Sequence, residues 1–407
     1  MSNANAGQRR RAPIWLLSLA SSLSPFGMAI VVPSLGAIVA VFNADLAEAQ
    51  YVISAYLFGL ALAQPICGFL CDRFGRRSVM LVGFATFTVA SVACALATSL
   101  DQLIVGRFAQ AAGVSVGTVA SRAILRDTYD RNRMAEAMSY VAAAMGFAPI
   151  VAPVIGGLID TAADYSAIFY ASAVIGGLVF FKMLVSLPET RPADLTPPTL
   201  RQWFSSYGVL LTSRGFVGNT LAFGFVQGTF FAFMAIGAPL FETAFGVDSG
   251  GFGLLWGLMA VNYVVGATLA AKMTARHGTA VVLKVGVIVG AIGGTAAWVS
   301  SVTLPLTVVS VLTPIAISMF AAGATTPISM AGAVADYPTV AGTASGLSSA
   351  IGLVLGGSFS VLSGTVFDGR YPPIAMIICL ASLATAASWW LSVSGRPRDQ
   401  EPAVASE

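Results

Sequence analysis

Charge is what this sequence has least of. Only 10% of its 407 residues are Asp, Glu, Lys or Arg, where a soluble domain carries about 25%. Histidine is nearly absent too, with His277 alone in a loop. The four cysteines, Cys67, Cys71, Cys94 and Cys379, lie in apolar runs or at their ends. Their spacing is not a disulfide framework. Cys67 and Cys71, one helical turn apart, read as small packing residues rather than a metal pair. With so few His, Asp and Cys together there is no catalytic or metal constellation, so neither an enzyme nor a cofactor is expected. The net charge of +3 does not mark a nucleic-acid binder, because the basic residues are not pooled in one patch. What the chain has in plenty is apolar surface: 57% hydrophobic residues and a mean hydropathy of +0.83. Lipid is the solvent that suits such a composition.

A membrane-spanning helix needs about 20 mostly apolar residues. Such runs fall near 13–37, 48–70, 78–98, 101–123, 135–159, 165–187, 214–240, 251–271, 280–300, 303–326, 339–364 and 372–394. The first follows three arginines but is too long for a signal h-region of roughly 7–15 residues. The expected fold class is therefore an all-α integral membrane protein with twelve transmembrane helices in two six-helix halves. Runs of Ala, Leu and Val cannot be open strands in lipid, because backbone groups must bond within the segment. With the N-terminus inside, every Lys and Arg except Arg107 and Arg370 falls on the cytoplasmic side, as the positive-inside rule requires. A miscounted span would flip every later loop and destroy that bias. The expected layout is a cytoplasmic tail at 1–12, a half at 13–187, a Pro- and charge-rich cytoplasmic linker at 188–213, a half at 214–394 and a cytoplasmic tail at 395–407. Arg73 and Gly75 after span two recur as Arg276 and Gly278 after span eight. Two such halves indicate a transporter duplication.

Three local patterns sharpen that reading. Gly68-Phe69-Leu70-Cys71-Asp72-Arg73-Phe74-Gly75-Arg76-Arg77 follows span two. Arg107-Phe108-Ala109-Gln110-Ala111-Ala112-Gly113 lies in span four, and Gly146-Phe147-Ala148-Pro149, Pro153, Gly156 and Gly157 lie in span five. Together they resemble motifs A, B and C of the major facilitator superfamily, in the family's order. Motif C belongs to its drug-exporting antiporters. The stretch Arg122-Ala123-Ile124-Leu125-Arg126-Asp127, the run from Met145 to Leu158, and Gly237-Ala238-Pro239 look most like the bicyclomycin/chloramphenicol-efflux group. The resemblance covers about residues 13–390. It implies a monomer in a bacterial cytoplasmic membrane that moves a small-molecule substrate against protons. It also implies that Asp72 faces the N-terminus of span eleven and pairs with a nearby arginine, forming with Gly68, Arg73, Gly75, Arg76 and Arg77 a cytoplasmic gate. Motif C would pack its small face on span eight, at Gly253 and Gly257.

The residues support parts of this independently. Arg107 sits about two turns inside span four, where a charge costs about 2.5–3.5 kcal/mol on insertion scales and usually faces a cavity or a partner. Gln110, three residues on, shares its face. Other polar or aromatic groups on inward spans are Tyr51, Tyr56, Gln64, Tyr140, Asn219, Gln227, Trp256, Asn262 and Tyr263, with Met145, Phe230, Phe231 and Met259 as apolar lining. The expected substrate site draws on Arg107, Gln110, Tyr51, Tyr140, Gln227, Trp256, Asn262 and Tyr263. In one respect the sequence departs from the efflux group. That group has an acid in span one, and here the stretch reads Ser24-Pro25-Phe26-Gly27-Met28-Ala29-Ile30-Val31-Val32-Pro33. No acid falls in the middle of any span. Glu48, at the outer end of span two, is the nearest proton carrier to Arg107. The competing reading is a metabolite facilitator, uncoupled or driven by the charge of its substrate. An acid-free interior with one Arg favours neutral or anionic substrates.

Overall fold

The computed structural model describes residues 12–129, 131–191, 199–337 and 341–394. Both expected tails except Ala12, and part of the linker, lie outside them. The described residues form helices and no strands. Twelve helices are long and apolar enough to cross a membrane. They are Ile14–Phe42, Leu46–Phe74, Arg76–Ala95, Leu100–Thr128, Ala143–Ala162, Tyr165–Ser186, Arg214–Phe245, Gly250–Thr274, Arg276–Thr303, Val308–Ala335, Thr343–Val366 and Pro372–Ser394, here called spans one to twelve. One end of this bundle carries nearly all the Lys and Arg and is called the basic end. The other is the acidic end.

Caps explain several starts. At the acidic end Asp45 and Glu48 form a capping box on span two, and Ser99 caps span four. Asp164 caps span six, accepting from the Ser166 and Ala167 amides at 2.8 and 3.2 Å. The Ser166 hydroxyl and these amides hold the Asp164 carboxyl below its ordinary value. Asp248 caps span eight. Each side chain satisfies amides that the first helical turn leaves open. At the basic end the turns after spans two and eight are built alike: Gly75 has φ +93° and Gly278 φ +79°, a region where a side chain is strained. The recurrent glycine read from the sequence thus makes the same reversal in both halves.

Three elements differ from the sequence reading. Span one is not continuous: a helix ends at Ala29, a 3-10 turn covers Val32–Ser34, and a second helix covers Leu35–Phe42. Pro33 has no amide to donate, which breaks the ladder there. Span ten starts at Val308 rather than 303, because Thr307 and Ser310 make a capping box. Leu304 and Leu306 are merely apolar loop residues. The linker contains a helix, Leu200–Thr212, whose Leu210 packs with Phe216, Ala333 and Ala344.

Within the first half, span two packs on four, three on four and six, and one on five. Across the halves, span two runs along span eleven, and span five meets span eight. The acidic end is closed. There the Gln50 side-chain amide donates to the Ala235 carbonyl, and Ser54 Oγ to the Gly357 carbonyl at 3.4 Å. The Glu242 carboxylate also lies against Gly36.

Candidate functional site

At the basic end, motif A is built around Arg76. Its side chain is fully buried, with Nη2 3.1 Å from Asp72 Oδ1 and Nε 3.0 Å from Asp127 Oδ2. Asp127 comes from the end of span four and is itself buried. The start of span three is held by Glu189, which follows span six. Its two oxygens accept from the amides of Arg76 and Arg77 at 3.0 and 3.2 Å, an acid on a helix N-terminus. The Arg77 guanidinium donates to the Leu184 carbonyl at 3.0 Å, and that of Arg191 to the Arg73 carbonyl at 2.8 Å. A side chain on Gly75 would run into Glu189. Gly68 is less crowded, its nearest neighbour being Val119 at 3.8 Å from a Cβ. The resemblance set the start of span eleven opposite Asp72; residues 338–340, just before that span, lie outside the described residues.

Sequence reasoning missed Asp127 and Glu189 as parts of this cluster. Both are acids at the basic end, where acids have little to do except answer arginines. That is the signal that could have found them.

Arg107 is fully buried within the first half. Its Nη1 donates to the Gly27 carbonyl of span one at 2.9 Å and to Gln110 Oε1 at 2.6 Å, and its Nε to the Val52 carbonyl of span two at 3.4 Å. The guanidinium lies over the Tyr56 ring, 4.1 Å from its centroid, and 5.8 Å from that of Phe169. Gln110 passes the network on by donating to Ser91 Oγ of span three at 2.7 Å. No carboxylate pairs with Arg107 among the described residues. Carbonyl dipoles and ring faces carry the charge instead.

Motif C forms the seam between halves. A Cβ on Gly253 would come 2.6 Å from the Pro153 carbonyl across the halves, and one on Gly156 would overlap the Ile30 carbonyl of span one within the first half. Backbones approach this closely only where side chains are missing. Gly146 takes no part: nothing lies within 4 Å of a Cβ there. Pro149 is half-buried and Gly157 buried.

The remaining candidates do not gather into one pocket. Trp256 is 2% exposed among Phe230, Phe233 and Phe252, with ring centroids 5.3 to 6.2 Å away. Tyr51 and Glu48 line a vestibule of about 290 Å³ at the acidic end with Asp101 and Ile104. Asn262 opens on a separate cleft of about 520 Å³ with Leu258, Leu312 and Phe320. The Tyr263 carbonyl lies against Gly323 of span ten. Gln227 is half-buried and Tyr140 is exposed.

The family model described as Major Facilitator Superfamily matches residues 17–361. Multidrug resistance protein D of Escherichia coli (strain K12) is 28% identical over 384 residues, 94% of this chain and 96% of that protein. The bicyclomycin resistance protein homolog of Haemophilus influenzae is 25% identical over 398 residues, 95% and 98% of the two chains. Among solved structures, the D-xylose-proton symporter superposes with a TM-score of 0.74 at 15% identity, covering 94% of this chain and 98% of that one. That likeness concerns the fold alone.

Proposed function

The chain belongs to the major facilitator superfamily, and on that premise we propose that it exports small amphipathic compounds, drugs or secondary metabolites, by alternating access. It works as a monomer in a bacterial cytoplasmic membrane, with its basic end and both termini in the cytoplasm. The observation that carries this reading is the seam between halves. It is closed at the acidic end by contacts that can part as units: Gln50 on Ala235, and Pro153 on Gly253. The names of the two relatives, one for multidrug and one for bicyclomycin resistance, favour export. Motif A then gates the cytoplasmic side through Asp72, Arg73, Gly75, Arg76 and Arg77.

Proton antiport is the proposed drive, with Glu48 and Arg107 as its groups. Glu48 accepts the Asp45 amide at 3.0 Å and lines the acidic-end vestibule, one to two turns outward from Arg107. A second reading, a metabolite facilitator without proton coupling, is favoured by the lack of any acid in the middle of a described span. Substrate contacts are assigned to Gln110, Tyr51, Tyr140, Gln227, Trp256, Asn262 and Tyr263 beside Arg107, drawn together as the halves move. Such sites are mostly apolar with a few placed polar groups.

The test is a susceptibility and accumulation panel in cells with and without the protein. It covers phenicols, bicyclomycin-like compounds and cationic dyes, with and without a protonophore. Lower accumulation of at least one neutral or anionic compound, abolished by the protonophore, is expected. No change across the panel would overturn export in favour of metabolite transport. Export that survives the protonophore would overturn antiport alone.

A further inference from the structure

The break in span one lies between motif B and motif C. In an unbroken helix the Gly27 carbonyl would accept from the amide of residue 31. Here the last such bond runs from the Ile30 amide to the Phe26 carbonyl at 3.0 Å. The next turn is a 3-10 turn containing Pro33. The Gly27 carbonyl accepts from Arg107 Nη1 instead. The same stretch is held from span two, where Tyr56 Oη donates to the Ser24 carbonyl at 3.0 Å while its ring lies under the Arg107 guanidinium. A Cβ at Gly27 would come 2.7 Å from Tyr56 Oη. Arg107 therefore supplies the donor that the break removes.

The other side of the break rests on span five. The Ile30 carbonyl points at Gly156, with no room for a side chain between them. Three residues earlier on span five, the Pro153 carbonyl meets Gly253 of the opposite half. Toward the acidic end, Thr161 Cγ2 lies 3.7 Å from a Cβ on Gly250 of span eight. One line of backbone contacts thus runs from Arg107 through Gly27 and Ile30 to Gly156, Pro153 and Gly253.

We infer that Arg107 is a positioning residue for the seal between the halves. It holds the break in span one in the shape that seats Ile30 on span five. It thereby sets how firmly span five closes on span eight. This assigns Arg107 a role that needs neither substrate nor proton. It rests on the proposed alternating access only in taking the acidic-end seam as a gate.

The test reads that gate without a substrate. Ser363, near the acidic end of span eleven, is fully buried beside Gly364, against which Gln50 of span two packs. Ser363→Cys is introduced into the full-length chain, whose four native cysteines are buried, and labelled on intact cells with a membrane-impermeant maleimide. Arg107→Gln and Gly156→Ala are each expected to raise the labelling rate about tenfold, equivalent to shifting the gate by about 1.4 kcal/mol. Arg107→Lys, which keeps the charge but not the fork of donors, raises it less. Because both residues act through the same break, Arg107→Gln with Gly156→Ala raises the rate no further than the larger single change. Combining Arg107→Gln with Gly352→Ala, whose Cβ would press on Phe223 within the second half, gives a product of the separate effects, as independent sites do. Multiplied effects for Arg107 and Gly156, or an unchanged rate in the Arg107 variants, would overturn the inference. If Arg107→Gln fails to reach the membrane, Arg107→Lys replaces it in the same cycle. If Ser363→Cys labels only from the cytoplasmic side, the proposed orientation is wrong. The same rate pattern is then required of inside-out vesicles.

Discussion

Arg76 and Arg107 are both fully buried, and they solve the cost of a buried charge in opposite ways. Arg76 has Asp72 and Asp127 against it, whereas Arg107 has carbonyls and ring faces. Removing one member of a buried pair leaves the other uncompensated, at about 3–5 kcal/mol. Thermal unfolding in detergent should therefore show Arg76→Gln and Asp127→Asn strongly destabilised. Asp72→Asn should cost less, because the Asp72 side chain is one-third exposed and solvent screens it. Equal losses at both acids would contradict this account. Glycines give a second contrast at the same scale. Gly146→Ala should be neutral or stabilising by about 0.5–1 kcal/mol, since Ala is the better helix former and the space beside it is open. Gly83→Ala should destabilise, because its Cβ would meet the Gly113 carbonyl at 2.6 Å. Melting temperatures of the two variants decide it. The pairing of Arg107 with Gln110 could be read from their three-residue spacing. Its bonds to Gly27 and Val52 could not, because those carbonyls belong to other spans and one is freed only by the break in span one.

At the scale of the element, hydropathy located all twelve spans, since a run of 20 apolar residues has few alternatives in lipid. It did not see where helices begin. The start of span ten depends on two hydroxyls, Thr307 and Ser310, and the break in span one on the missing amide of Pro33. Both are local hydrogen-bond facts that a hydropathy window averages away. The linker helix Leu200–Thr212 escaped for a related reason, as it is short and preceded by several prolines. Its attachment is specific: Leu210 is buried with Phe216, Ala333 and Ala344, and Tyr207 and Tyr337 pack around them. Burial pushes the Tyr207 phenol up to about 12. Leu210→Asp should release this helix and make the linker sensitive to limited proteolysis while the spans stay protected. A digestion pattern identical to that of the unaltered chain would show that the packing contributes little.

At the scale of the molecule, the two-half layout was legible from the basic residues and from the repeated Arg and Gly of the turns after spans two and eight. The closure at the acidic end was not. It depends on Gln50, Ser54 and Glu242 meeting backbone of the opposite half, and sequence periodicity carries no information about contacts between halves. The candidate substrate residues remain spread over separate places, with Tyr51 in the vestibule, Asn262 in the cleft and Trp256 in the aromatic cluster. On the proposed alternating access, these residues would be gathered into one site only during the cycle. The most direct test is uptake of a compound from the susceptibility panel into inside-out vesicles, where the cytoplasmic face is turned outward. The account predicts that, with the vesicle interior acidified, vesicles containing the protein concentrate the compound above its external level, and that collapsing the gradient releases it. Equilibration without concentration, unchanged by the gradient, would contradict it.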